Sequence, residues 1–137
     1  MAVHRFIPTL FHNVIGTKPT ALSIADGDTV VTRTIDAAGF DEEGVQRASG
    51  PNPMNGPISV EDAEPGDALK VEILEMTPTR DSGFTRNILA ANVLDPEAIR
   101  ELPPSAKANW TIDREALTAR LSEPITGLEA FVLPLAL

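Results

Sequence analysis

There is no cysteine in this chain, no tyrosine, one tryptophan and two histidines, and these absences narrow its chemistry before any pattern is read. Without cysteine there is no thiol nucleophile, no disulfide and no thiolate-ligated zinc or iron–sulfur centre. Basic residues are also scarce, 11 Lys and Arg against 20 Asp and Glu, for a formal charge of −9. Binding a phosphate backbone needs clustered Lys and Arg, so no nucleic-acid partner is expected. Long apolar runs are missing as well. Residues 1–10 hold His4, Arg5 and Pro8 where a secretory core would be continuous, and no stretch approaches membrane-spanning length. A cytoplasmic chain with no membrane partner is the resulting expectation.

What is present is globular. With 42% hydrophobic residues over 137 positions, the chain is expected to form one β-rich domain, residues 1–137, with its own core. Residues 50–67 read Gly-Pro-Asn-Pro-Met-Asn-Gly-Pro-Ile-Ser-Val-Glu-Asp-Ala-Glu-Pro-Gly-Asp. Prolines that fix φ alternate there with glycines that free it, the composition of a shaped loop, although Gly and Pro mark ordinary surface turns more often than active sites. The preceding connection, residues 36–57, carries neither the two-residue nor the helical period. It is long enough to be expected as an ordered functional loop anchored by Phe40, Val45 and Met54.

Short strands account for the rest. Residues 3–7, 10–14, 20–25 and 29–35 are β-prone, and Asp26-Gly27-Asp28 between the last two predicts a hairpin. Residues 69–75 give the clearest strand, with Leu69, Val71 and Ile73 on one face and Lys70, Glu72 and Glu75 mostly on the other. Further strands, or extended segments, are expected over 87–94, 109–113, 117–121 and 128–133. One short helix is expected over 95–102, with Asp95 as its cap and Pro96 at its first position. Eight to ten strands with single-sided alternation predict an all-β, mainly antiparallel fold, a β-sandwich or jelly-roll.

The catalytic inventory is thin. Gly-x-Ser-x-Gly, a phosphate-cradling glycine loop and His-Glu-x-x-His are all absent. His12 ends the second strand and Asp36 ends the fourth, so each can point into a cleft, or else into solvent or a turn. Were a cation bound, these two would be the candidate metal ligands, and two are too few for a complete site.

The run Gly56-Pro57-Ile58-Ser59-Val60-Glu61-Asp62-Ala63-Glu64-Pro65-Gly66-Asp67-Ala68-Leu69, continued by residues 70–75, resembles the signature of the acetamidase/formamidase family. That signature usually reads Gly-Pro-aromatic-Val-Glu-Gly-Ala-Glu-Pro-Gly-Asp. His12-Asn13, then Asp26-Gly27-Asp28-Thr29-Val30, then Asp36, is similar to the family's opening region in the same order. The resemblance implies hydrolysis of short amides such as formamide or acetamide to a carboxylate and ammonia, in some members with a divalent metal such as zinc or calcium. Such chemistry needs an activated water, a polarised carbonyl and a proton for the leaving nitrogen. By resemblance Asp36 is a candidate base or ligand and His12 a candidate acid or ligand. Asn52, Gly56 and Pro57 are candidate substrate-binding positions on the loop, whose amides could stabilise an oxyanion.

Three positions depart from the pattern. Asn52 stands where many members carry histidine, Asp62 replaces a glycine and Ser59 an aromatic. Family enzymes also continue into a glycine-rich second half containing His and Asp, so the resemblance implies a partial or split chain. A complementary polypeptide, or association with further copies, would complete it. The alternative is a non-catalytic β-sandwich that binds a ligand or serves in assembly.

Overall fold

The Asp26-Gly27-Asp28 turn forms, closed by the Asp28 N–H to the Ala25 carbonyl at 3.2 Å with Gly27 at φ +79, but it does not make a hairpin. In the computed structural model, which describes residues 1–86, 91–102, 104 and 106–135, the flanking strands part and take distant partners. The chain forms two compact units, Met1–Glu72 and Ile73–Leu137.

In the first unit β1 (Val3–Phe6) lies parallel to β4 (Thr29–Thr32), with Val3 opposite Thr29 and Phe6 opposite Thr32. β3 (Leu22–Ile24) lies parallel to β6 (Ile58–Val60), and β2 (Phe11–His12) pairs antiparallel with β5 (Met54–Asn55). The reason for the failed hairpin is the Asp28 carboxylate. It accepts from the Ala2 N–H at 2.6 Å and the Ala25 N–H at 3.1 Å, and His4 Nε2 lies 2.8 Å away. Asp28 thereby fastens β1 alongside β4, so the edge a hairpin partner would occupy is taken.

The second unit is a four-stranded antiparallel sheet in the order β10–β9–β8–β7. Its strands are β7 (Ser82–Arg86), β8 (Lys107–Asp113), β9 (Thr118–Leu121) and β10 (Leu133–Pro134). β8 alternates as its sequence requires, Ala108, Trp110 and Ile112 half-buried between exposed neighbours. Trp110 sits opposite Leu121, Ile112 opposite Ala119, and Phe131 meets the Trp110 ring edge-on at 6.4 Å. The β-rich class expected from the sequence is therefore present, as several small sheets, mainly antiparallel, with one short helix, α1 (Pro96–Ile99). Pro96 opens α1, while Asp95 makes no side-chain cap bond.

Other expectations change. Residues 69–75 form no strand, because no neighbouring strand offers them hydrogen bonds. Only the end of 128–133 is a strand, since turns at Leu128 and Phe131 take up the earlier residues. Residues 91–93 form a 3-10 turn, and 87–90 lie outside the described residues. Most consequential, Ala119 and Pro53 are the two buried residues with an aliphatic or aromatic side chain among the described residues. The accessible surface is 10967 Å². A folded monomer of 14.6 kDa exposes about 6,900 Å², and two separate chains of half that mass about 8,300 Å² together. The excess over even two independent units is about 2,600 Å².

Asp28 also sets an acid dependence. The Ala2 N–H first, then His4, holds its carboxyl at about 2, below the ordinary 3.8. The stabilisation it provides is complete above about pH 4 and is lost as pH falls toward 2. Asp28→Asn is expected to flatten the fall in melting temperature over that window, Asp41 and Glu42 retaining part of the slope; an unchanged acid limb in a thermal melt series contradicts this.

Candidate active site

Residues 36–57 are ordered by hydrogen bonds, most of them made by carboxylates and carbonyls of the loop itself. Asp36 Oδ1 accepts from the N–H groups of Ala38 and Phe40, both at 2.9 Å, and the Gly39 N–H returns to the Asp36 carbonyl. Asp41 repeats the device one turn later, its Oδ1 accepting from Glu43 and Val45 and its Oδ2 meeting Arg47 Nε at 2.5 Å. These are Asx turns in series, a local use of aspartate that fixes a loop without a strand. Between them Gly39 is buried at φ +93, and its carbonyl accepts from both Arg47 and Ala48.

The second half of the loop lies against the first. Asn52, at φ +49, donates its N–H to the Ala37 carbonyl at 2.8 Å. A Cβ on Gly50 would sit 3.2 Å from that same oxygen, a tight contact that glycine avoids. From the other side Asn13 Nδ2 donates to the carbonyls of Ser49 and Pro51, at 2.9 and 2.8 Å. His12 precedes Asn13, Asp36 precedes Ala37, and Asn52 follows Pro51. The Asn13 side chain and the Ala37 carbonyl therefore hold the chain beside His12, Asp36 and Asn52, 40 positions apart at the extremes, against one short segment.

Gly56 and Pro57 have another place. Gly56 is buried at φ +113, and the Pro57 carbonyl accepts from the Ala21 N–H at 2.9 Å. The peptide bonds Gly50–Pro51 and Gly56–Pro57 are both cis. Gly56-Pro57 redirects the chain from β5, which pairs with β2, to β6, which pairs with β3. Asp62 stands where the family signature has glycine and adopts φ +63, a conformation that glycine takes freely and Asp tolerates better than most.

Beside the loop is an open cleft of about 790 Å³. Phe6, Ile7, Phe11, Val31 and Ile35 give it an apolar wall, and Arg33 and Arg47 stand at its rim with their acids. Arg33 pairs with Glu42, and Arg47 with Asp41 and, at 3.7 Å, Glu43. Arg47 holds the Asp41 carboxyl below its ordinary range, with help from the Val45 N–H, and Asp41 raises Arg47 in return. Glu42 is lowered by its own backbone N–H and then by Arg33. His12, Asp36, Asn52, Gly56 and Pro57 do not line this cleft; Phe11 and Ile35, the residues before His12 and Asp36, do. The rim pairs are the residues that sequence reasoning passed over, while Asn13, noted beside His12, finds its use at the Ser49 and Pro51 carbonyls. The only available signal was Asp41 six positions before Arg47, in a run without a period.

A metal does not fit these residues taken alone. Among the described residues no group of three or more His, Asp or Glu side chains is close enough to hold a cation, and Asp36 Oδ1 already accepts two backbone N–H groups. Zinc and calcium sites draw on more donors than His12 and Asp36 supply.

A family model for acetamidase/formamidase matches residues 11–134. The chain belongs to the acetamidase/formamidase family. Comparison with curated proteins and with solved structures returns no match. The match starts at β2, beside His12, and runs to β10, so the linked loop and the four-stranded sheet both fall inside the acetamidase/formamidase region. No helix among the described residues is long and apolar enough to cross a membrane.

Gly39 is the position on which this loop is least forgiving. A Cβ there would stand 1.9 Å from the Ala48 carbonyl oxygen, a backbone atom that cannot step aside. Gly39→Ala is expected to destabilise the chain by about 2 kcal/mol or more, on the order of 10 °C in melting temperature. A melt within about 2 °C of the parent would refute this packing.

Proposed function

We propose that the chain is one polypeptide of an amide hydrolase that converts short aliphatic amides, such as formamide or acetamide, to the carboxylate and ammonia. Its activity requires cover by a second polypeptide, either a further copy or a complementary chain. Family membership supports the reaction class. The observation that carries the need for cover is the surface: a chain exposing about 2,600 Å² more than two independent units of its mass is not closed around a site.

In this reading water adds to the amide carbon, the C–N bond breaks, and the nitrogen leaves as ammonia after taking a proton. His12, half-buried at the end of β2, is the candidate proton donor to that nitrogen. Asp36 is the candidate base for the water while its Oδ1 holds the loop. Backbone N–H groups of the Gly-Pro loop would stabilise the oxyanion. The second reading, a non-catalytic module, is favoured by the absence of a three-ligand cluster among the described residues.

Ammonia release from formamide and acetamide tests the two, with the chain alone and with the polypeptide encoded beside it. Release that depends on assembly supports the hydrolase; none under either condition supports the module. In an active assembly Asp36→Asn keeps an acceptor oxygen for Ala38 and Phe40 but removes the base. Turnover is expected to fall at least ~100-fold. Unchanged turnover would reduce Asp36 to a loop-holding role.

A further inference from the structure

The strand that never forms points to an occupant. Residues 68–76 lie in no strand or helix, and none of their backbone N–H or C=O groups has a hydrogen-bond partner among the described residues. None of them has a positive φ, so nothing in the backbone opposes β pairing. Leu69, Val71 and Ile73 are 64%, 83% and 63% exposed. An extended segment with free backbone groups and a run of exposed apolar side chains can pair with another strand.

The order of residues specifies which strand. Two copies of this segment set antiparallel about Val71 would place Leu69 opposite the partner's Ile73 and Val71 opposite the partner's Val71 on one face. On the other face Lys70 would stand opposite the partner's Glu72, and Glu72 opposite the partner's Lys70. Directly opposed residues share a face in an antiparallel ladder, and apolar pairs and opposite charges stabilise it there. Asp67 and the partner's Glu75 would meet as like charges and end the ladder. We propose that residues 68–74 form a two-fold antiparallel ladder with a second copy of the chain. This inference rests on the reading that the chain acts under the cover of another polypeptide, and it names one such cover.

Sedimentation equilibrium of the full chain at physiological ionic strength, where the repulsion between two chains of charge −9 is largely screened, reads the proposal without substrate. The parent chain is expected to be dimeric. Lys70→Glu replaces both opposite-charge pairs with like-charge pairs and is expected to raise the dimer dissociation constant roughly tenfold or more. Adding Glu72→Lys to Lys70→Glu restores opposed charges and is expected to bring it back. Circular dichroism confirms that each variant folds, and Val71→Pro, which removes a ladder N–H at the centre, is expected to give monomer. A monomeric parent, a dimer indifferent to Lys70→Glu, or a double variant that does not recover overturns the ladder. A monomer that releases ammonia with a complementary chain would remove this inference and leave the amide hydrolase standing. A rescued dimer with no ammonia release would do the reverse.

Discussion

Aspartate carboxylates that accept backbone N–H groups are the interaction on which the described structure depends. Ala119 and Pro53 are the two buried residues with apolar side chains among the described residues, so apolar burial cannot fix the chain direction as it does in a closed domain. Asp28 aligns β1 with β4, Asp36 and Asp41 shape the long loop in two steps, and Asp113 turns β8 toward β9 by accepting from Glu115 and Ala116. Part of the charge of −9 thus has a structural use. Each of these acids satisfies donors that a loop would otherwise leave to water.

How much of this was legible in the sequence depended on whether the controlling interaction was local. β8 was readable because Trp110 and Ile112 alternate with polar neighbours, and their sheet partners lie close in sequence. α1 was readable from Pro96. The Asp26-Gly27-Asp28 turn was readable as a turn, but its use was not: the choice between β3 and β1 as partner of β4 is made by Asp28 reaching Ala2, 26 positions away. Residues 69–75 carry the strongest strand pattern in the chain and form none. Alternation states which face would be buried; it does not supply the strand that would bury it.

The candidate site divides in the same way. His12, Asp36 and Asn52 were picked out by resemblance, and the structure links them through Asn13 and Ala37. That linkage was illegible because carbonyl acceptors leave no mark on side-chain chemistry. Gly56 and Pro57 have a steering role between two strand pairs. The arginine-rimmed cleft lies beside the linked residues and not around them.

The proposed ladder about Val71 between two copies of the chain is tested most directly by backbone hydrogen exchange at residues 68–76. In dilute chain these amides are predicted to exchange as fast as an unstructured peptide, since none has a partner among the described residues. As the concentration rises, protection should appear at alternating positions about Val71, the pattern of a ladder that forms between chains. Amides already protected in dilute monomer, or unprotected at every concentration, would contradict it.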